Sequence, residues 1–394
     1  MNILEEIQNC PVEWKELGEV CSVKKGKQLN KNLLTEDGLY PAYNGGQTYS
    51  GRTNDYNVEA NTIIVSQGGA SAGFVNFVDT KFWANAHCYY ILSDETRVNN
   101  RFVYHFVKMN QKYLMDFQHG AGIPALKADK LSKLLLPIPP LEIQEKIVQI
   151  LDKFTDYVTE LTSELTSRKK QYSFYRDKLL SFEDEVYQVE WKTLGEVAEC
   201  LAGATPRTSN SSYWENGTIP WMSSGEVSKG FVYDTEKKIT QEGYDSCSTK
   251  VVPRDTVVIA LAGQGKTRGT VAITKVELCT NQSLCSIVSN DDINSHYLYY
   301  YLKGQYQKLR DISSGEGTRG GLNLKMIRDF RIPVPSLKIQ SRIVQVLDNF
   351  DMVCNDLNIG LPKEIELRQK QYEYFREKLL TFTAEGVYTE SRVE

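Results

Sequence analysis

Ala260-Leu261-Ala262-Gly263-Gln264-Gly265-Lys266-Thr267 fits a relaxed phosphate-loop pattern, placed after the β-like run Thr256-Val257-Val258-Ile259. In a working phosphate loop, backbone N–H groups cradle the phosphates, and a helix just after the loop adds its N-terminal dipole. Here the loop leads instead into Arg268-Gly269-Thr270-Val271-Ala272-Ile273, which reads as a turn and then a strand. The corresponding stretch of the first half, Ser66-Gln67-Gly68-Gly69-Ala70-Ser71, has no lysine. A glycine hairpin is therefore expected, not a nucleotide site. Other chemistry is sparsely provided for. Cys10, Cys21, Cys88, Cys200, Cys247, Cys279, Cys285 and Cys354 form no CxxC pair, and the four histidines are spread widely, so no metal site is legible. There is no Asn-Pro-Pro-aromatic motif for amino methylation, no glycine-rich fingerprint for S-adenosylmethionine and no helicase motif set.

Bulk properties narrow the class further. The 394 residues suffice for two or three domains, and a hydrophobic content of 41% with 24% charged residues is ordinary for a soluble globular protein. No apolar run is long enough to cross a membrane. The start, MNILEEIQNC, is acidic and does not read as a secretory signal, so a reducing cytoplasm is the expected setting. A net charge of −4 argues against binding nucleic acid by bulk electrostatics, but a local basic surface is all that phosphate contacts need.

The elements that must position any site are two long helices. From Leu141 to Phe182 there is no Gly or Pro, and Ile147, Leu151, Phe154, Val158, Leu161, Leu165, Arg168, Tyr172, Tyr175, Leu179 and Phe182 recur at steps of four and three. That mean step of about 3.5 is the coiled-coil period. A rod of this length, roughly 60 Å at ~1.5 Å per residue, needs a partner helix. Leu337 to Phe382 repeats the stretch and supplies one. Its register, Ile343, Leu347, Phe350, Cys354, Leu357, Leu361, Ile365, Arg368, Tyr372, Phe375, Leu379, Phe382, contains an extra step of four at Gly360-Leu361-Pro362. Such a stutter beside a proline predicts a kink or short break.

The duplication extends over the whole chain. Val12-Glu13-Trp14-Lys15-Glu16-Leu17-Gly18-Glu19-Val20 returns as Val189-Glu190-Trp191-Lys192-Thr193-Leu194-Gly195-Glu196-Val197, an offset of 177. Gly69, Gly73, Asn85, Leu126, Pro139, Gln144 and Asp152 match Gly265, Gly269, Asn281, Leu322, Pro335, Gln340 and Asp348 at an offset of 196. The difference places 19 extra residues of the second copy between Ala202 and Ser248. Beyond Phe154 and Phe350 the offset grows to 200, matching Arg168 with Arg368 and Tyr172 with Tyr372. A repeat near 196 residues is a whole module, a globular head leading into a rod.

Each head reads as β-rich. Thr62-Ile63-Ile64-Val65, residues 73–78 and Cys88-Tyr89-Tyr90-Ile91-Leu92 predict strands in the first, and residues 256–259 and 270–273 in the second. Helices are expected over 99–117 and 295–309. The fold class is α+β, with two globular domains separated by two long antiparallel coiled-coil helices in a circular, pseudo-twofold arrangement. The expected divisions are 1–140, a first helix 141–182, 183–335, a second helix 336–383 with its stutter near 360–362, and a tail 384–394 packing near the N-terminus. Trp14 and Trp191 are expected in the cores; His87, which has Ser283 at the matching position, could read DNA or cap a strand, and burial is the expected outcome.

Two non-identical heads at a fixed separation suit duplex DNA, on which dimeric readers place two heads about 34–36 Å apart. The order Trp-x-x-Leu-Gly-Glu-Val, a glycine-rich strand turn, Ile-Pro-x-Pro, then Leu-x-x-Gln and a long helix resembles the specificity subunits of type I restriction–modification systems. Gly203-Ala204-Thr205-Pro206, Tyr213-Trp214 and Ile219-Pro220-Trp221 strengthen the likeness, which covers nearly the whole chain. The resemblance implies two target recognition domains, each reading half of a bipartite double-stranded target across a nonspecific spacer. It also implies helices that set the spacer and dock two methyltransferase subunits, with motor–nuclease subunits joining. The chain itself would catalyse nothing and hold no cofactor, while S-adenosylmethionine, ATP and Mg would belong to the partners.

Side-chain chemistry selects the candidate DNA contacts. Lys24, Lys25 and Lys27 form the densest basic stretch of the first head, with Asn44, Gln47, Tyr49, Arg52 and Gln67 on neighbouring turns. Lys and Arg suit phosphates, whereas Gln, Asn and Arg make bidentate contacts to base edges. In the second head Arg207, Arg254, Lys266, Arg268 and Arg319 fill similar roles, the last in the loop 315–321. On the rods Arg168, Lys169, Lys170, Arg368 and Lys370 are candidates for partner binding or spacer phosphates. For each, a solvated surface role is the alternative. For the whole chain the alternative is a coiled-coil scaffold that never reads DNA.

Overall fold

The computed structural model describes residues 3–116, 125–182, 189–263, 267–313 and 321–382. Among them are five helices of ten residues or more: α1 (Asn100–Met109), α2 (Leu141–Ser181), α3 (Ser295–Gly304), α4 (Leu337–Asn355) and α5 (Leu361–Leu380). The chain divides into two compact units, Met1–Ser163 with Lys363–Glu394, and Glu164–Pro362. The division cuts across both rods. Each unit takes one head, the N-terminal part of one rod and the C-terminal part of the other. The tail 384–394 lies outside the described residues.

In unit one, β1 (Glu13–Glu16) pairs with β9 (Leu135–Ile138) as a two-stranded ribbon. A four-stranded antiparallel sheet has the order β2 (Cys21–Lys25), β8 (Cys88–Ser93), β5 (Thr62–Ser66), β6 (Val75–Val78). A small sheet sets β3 (Tyr40–Tyr43) between β4 (Gly51–Thr53) and β7 (Trp83–Ala84), the last parallel. The β-branched run of β5 is buried along its whole length, as a central strand packed on both faces requires. Its core takes in Ile63, Val65, Ile91, Phe102 and Phe106 of the head, Ile147 and Leu151 of α2, and Leu379 and Leu380 of α5. Phe154 of α2 stacks on Phe375 of α5 at 5.2 Å.

Unit two repeats the plan. The ribbon is β10 (Glu190–Thr193) with β19 (Arg331–Val334). The large sheet runs β11 (Ala198–Ala202), β18 (Leu284–Ser289), β15 (Val257–Ala260), β16 (Val271–Thr274), β13 (Phe231–Val232), and the small one β14 (Lys237–Ile239), β12 (Ile219–Met222), β17 (Cys279–Thr280). Tyr172 and Leu180 of α2 and Ile343 and Leu347 of α4 join the head residues Val257, Ile259, Ile287 and Tyr297 in one core. Tyr175 stacks on Phe350 at 5.7 Å.

Strand pairing corrects the alignment. Ile63 and Val257 both pair with the next strand at Ile91 and Ile287, so β5 and β15 are offset by 194, not 196. The early insertion is thus 17 residues, and two more lie in the loop after β15. The expected helices are also interrupted. The first ends at Met109 and resumes at Gln111, and the second pauses at Gln305.

Each head is riveted to its rods at matching positions. The fully buried Gln144 of α2 accepts from Asn99 N–H at 2.7 Å and donates to Pro139 O at 2.8 Å and Arg97 O at 3.3 Å. Gln340 of α4 repeats this with Asn294, Pro335 and Asp292 at 2.7, 2.8 and 3.1 Å. Asn99 and Asn294 in turn cap α1 and α3. Eight residues after each glutamine stands an aspartate. Asp152 accepts from the Arg101 guanidinium and, at 2.7 Å, from His105 Nε2, while Tyr372 of α5 lies 3.0 Å from His105 Nδ1. Asp348 accepts from Tyr300 at 2.6 Å, with His296 Nδ1 at 3.7 Å.

The second rod is broken. Between Asn355 and Leu361 the Asp356 carboxylate accepts from Asn358 N–H at 2.7 Å and Ile359 N–H at 3.1 Å. Pro362 falls in the first turn of α5, where no intrahelical donor is needed.

Candidate nucleic-acid interface

Four segments of the first head meet at one end of its sheets: 26–29, 43–50, 66–69 and 85–88. Lys27 N–H donates to Ala84 O at 2.9 Å, Asn85 N–H to Tyr43 O at 2.9 Å, and Gln67 N–H to His87 O at 2.8 Å. Leu29 N–H donates to the buried Asn85 side chain at 3.3 Å. Gly45 N–H donates to Cys88 Sγ at 3.1 Å, and burial pushes that thiol up to about 11, so it stays protonated and donates to Tyr43 O at 3.3 Å. Backbone crosses backbone so closely that a Cβ on Gly26 would stand 2.3 Å from two carbonyl oxygens.

The second head builds the same frame. Ala204 N–H donates to Thr280 O at 2.9 Å, Asn281 N–H to Met222 O at 3.1 Å, and Leu261 N–H to Ser283 O at 2.8 Å. A Cβ on Gly203 would lie 2.0 Å from Thr280 O. Even an indole is reused. Trp83 Nε1–H donates to Lys27 O at 2.9 Å, and Trp221 Nε1–H to the matching Ala204 O at 3.0 Å. The two tryptophans stand on opposite members of one parallel pair, Ala42 facing Trp83 in β3–β7 and Trp221 facing Cys279 in β12–β17.

The expected contact residues divide on this frame. Lys27, Asn44, Gln47 and Tyr49 are exposed on the converging turns, and Lys24 and Lys25 are exposed on β2 just before them. Arg52 is committed to backbone, donating to Gly38 O at 2.6 Å and Leu39 O at 2.9 Å. Gln67 contributes its backbone, but its side-chain oxygen is buried. Arg207 is exposed beyond the Gly203 turn, beside Ser209. Arg254 is exposed but lies at the other end of β15, paired with Asp255 at 3.3 Å. Arg268 is 7% exposed, its carbonyl accepting from Arg310, and is not a surface contact. Lys266 and Arg319 lie outside the described residues. After the phosphate-loop-like stretch comes β16, paired antiparallel to β15, so no helix N-terminus is available to a phosphate.

Two expectations about aromatic residues are corrected. Trp191 is 47% exposed and Trp14 half-buried, because each stands opposite a proline on a two-stranded ribbon with one open face. His87 is exposed, at the tip of a turn. His87 stood out in the sequence as a side chain that could read DNA or cap a strand, whereas the only signal for Gln282 was the repeated Asn85 and Asn281, which favour turns. Gln282 accepts from the Thr205 hydroxyl and is also exposed.

On the rods Arg168, Lys169, Lys170 and Lys370 are exposed and Arg368 is half-buried. Arg168 pairs with Glu164 at 3.3 Å and Arg368 with Glu364 at 2.8 Å, the same step of four in both copies. Among the described residues no group of three or more His, Cys, Asp and Glu could hold a metal ion, and no helix is long and apolar enough to cross a membrane.

A duplicated head-and-rod chain with two matching turn clusters defines a two-headed reader, and comparison with known proteins agrees. The family model described as "Type I restriction modification DNA specificity domain" matches residues 11–168 and again 188–367. The chain belongs to that family. It is 33% identical over 402 residues to the specificity subunit of an Escherichia coli type I restriction enzyme, covering 97% of each. It is 31% identical to a putative type I restriction enzyme specificity subunit of Haemophilus influenzae, over 96% of this chain and 97% of the relative. Its fold is that of the type I restriction–modification S subunit of M. genitalium, with a TM-score of 0.65 at 22% identity, covering 95% and 98% of the two chains.

Proposed function

We propose that this chain is the non-catalytic DNA-specificity subunit of a cytoplasmic type I restriction–modification complex. Each head reads one half of a bipartite double-stranded target. The rods fix the spacer and dock two methyltransferase subunits, and motor–nuclease subunits join the assembly. S-adenosylmethionine, ATP and Mg belong to those partners. One observation carries the reading. The two turn clusters share their backbone contacts, Lys27–Ala84 with Ala204–Thr280 and Gln67–His87 with Leu261–Ser283, while their exposed side chains differ. One frame presenting two sets of side chains is what two unlike half-sites require. The net charge of −4 implies that partners supply part of the positive surface, so the chain alone binds DNA weakly.

The test is methylation mapping of DNA treated with the chain and its methyltransferase partner. A motif of two short tracts around an unspecified spacer supports the reading. A continuous motif, or methylation without sequence preference, as a mere scaffold would give, overturns it. Deleting residues of the break at 356–360, or inserting helical ones there, is expected to change the spacer and leave both tracts as they were.

A further inference from the structure

The turn after β7 and its counterpart after β17 are held by hydrogen bonds from the neighbouring segments of the two clusters. In head one, residues 85–88 are gripped from three sides. Tyr43 O and Gln67 N–H bond to the backbone of Asn85 and His87, and Leu29 N–H bonds to the Asn85 side chain. Asn85 also accepts from Ala86 N–H at 2.7 Å, closing the turn on itself. Gly45, at φ +80, lies so near that a Cβ there would be 2.9 Å from His87 O. The backbone of His87 is therefore fixed while its imidazole is exposed and has no hydrogen-bond partner among the described residues. In head two, residues 281–284 are held alike by Met222 O and Leu261 N–H. Here the exposed group is one position earlier: Gln282 stands where head one has Ala86, and Ser283 where it has His87. The Thr205 hydroxyl steadies the Gln282 carboxamide from the adjoining turn.

Resting on the function proposed for the two heads, we propose that His87 and Gln282 are base-reading, specificity-determining residues, one for each half-site. A rigid turn carrying one polar side chain is the arrangement direct readout needs, because hydrogen-bond geometry to a base edge tolerates little play. The carboxamide of Gln282 matches the N6–H donor and N7 acceptor of adenine. An imidazole carries a ring N–H donor in either protonation state, and that donor suits the N7 or O6 acceptors of guanine or the N7 of adenine. Lys27, exposed on the turn next to His87, supplies a positive charge for the neighbouring phosphate. The one-residue shift between the copies means that the two heads address their half-sites from different points of the same frame.

The experiment is methylation mapping, on a library with randomised half-sites, of the complex of the full chain with its methyltransferase partner. His87→Ala is expected to lose discrimination by about 5- to 150-fold at one or two positions of one half-site, leaving the other half-site and the spacer unchanged. Gln282→Ala is expected to do the same to the opposite half-site. The exchange Ala86→Gln with His87→Ser is expected to alter the preferred base and not merely weaken it. An unchanged bipartite motif in all three variants overturns the inference and leaves the parent reading standing. Uniform loss at every sequence also overturns it: with an unchanged Tm it marks a phosphate contact, and with a lowered Tm a structural role. A wild-type complex without a bipartite motif removes the parent reading itself.

Discussion

Asp152 and Asp348 hold the same place on their rods, yet the joints they form differ in character. In unit one Asp152 faces an arginine and a histidine, and in unit two Asp348 faces a tyrosine and a more distant histidine. Burial alone would raise the Asp152 carboxyl, but the His105 and Arg101 hydrogen bonds outweigh it and hold the group below its ordinary range. Burial also lowers His105, so the imidazole is neutral at pH 7. Asp152 can only accept, which puts the ring proton on Nε2 and leaves Nδ1 to accept from the Tyr372 hydroxyl. One imidazole thereby ties α1, α2 and α5 together. The second copy has Tyr300 at the matching position of α3, and its hydroxyl is spent on Asp348. Tyr172, the counterpart of Tyr372, is left buried with a hydroxyl that has no hydrogen-bond partner among the described residues. Two substitutions, His296 for Arg101 and Tyr300 for His105, have turned a three-helix joint built on an ion pair into a two-helix one in which the Asp348 carboxylate takes a tyrosine hydroxyl.

The largest expected effect comes from removing the carboxylates. Asp152→Ala leaves the partly buried Arg101 without its counter-ion and is expected to cost about 3 kcal/mol. Asp348→Ala strands a neutral hydroxyl and is expected to cost about 1–2 kcal/mol. Urea denaturation combined with hydrogen exchange in α1 and α3 separates the units, and equal costs would dissolve the contrast.

Acid comes next. Because the folded His105 pKa lies below its unfolded value near 6.5, the unfolded chain takes up the proton first as pH falls. Stability from this group is complete above about pH 6.5 and drains away below it, and the lowered Asp152 adds a further loss below about pH 4. Exchange protection of α1 should therefore fall between pH 7 and 5.5, after correction for intrinsic rates. His105→Gln should abolish that fall, and a persistent fall in the variant would assign it to another group.

The tyrosines give a smaller and opposite pair of effects. Tyr372→Phe strands His105 Nδ1 and is expected to cost about 1 kcal/mol, whereas Tyr172→Phe removes a buried unpaired hydroxyl and is expected to be neutral or stabilising by up to about 1 kcal/mol. A matching loss in both would show that solvent satisfies Tyr172. Smallest of all, Arg168→Gln and Arg368→Gln break equivalent helix-surface pairs and should each change stability by under about 0.5 kcal/mol. A marked loss of methylation from either, with Tm unchanged, would place it at a partner surface.

The duplication, the rods and the stutter were legible because periodicity and repetition are local patterns. Leu141–Ser181 is one helix, and the second rod breaks between Asn355 and Leu361 where proline and an extra step of four coincide. The site was legible as a set of turns but not as an address for each side chain. Lys27, Asn44 and Gln47 emerged exposed, whereas Arg268 is buried and Gln67 turns its oxygen inward, because composition says nothing about which way a turn residue faces. Tryptophan size suggested burial for Trp191, but a two-stranded ribbon has only one covered face. The exposure of His87 depends on three distant segments converging, and no short window of sequence contains that information.

The indole that crosses from β7 in one head to β12 in the other bears on how such chains are compared. Column by column, Ala42 against Trp221 and Trp83 against Cys279 look like two unrelated replacements. Taken as one ladder rung, they are a transposition that preserves the N–H delivered to the carbonyl of residue 27 or 204. What selection can hold constant here is the rung and not the position. Relatedness between recognition domains is therefore better scored over facing pairs than over single columns.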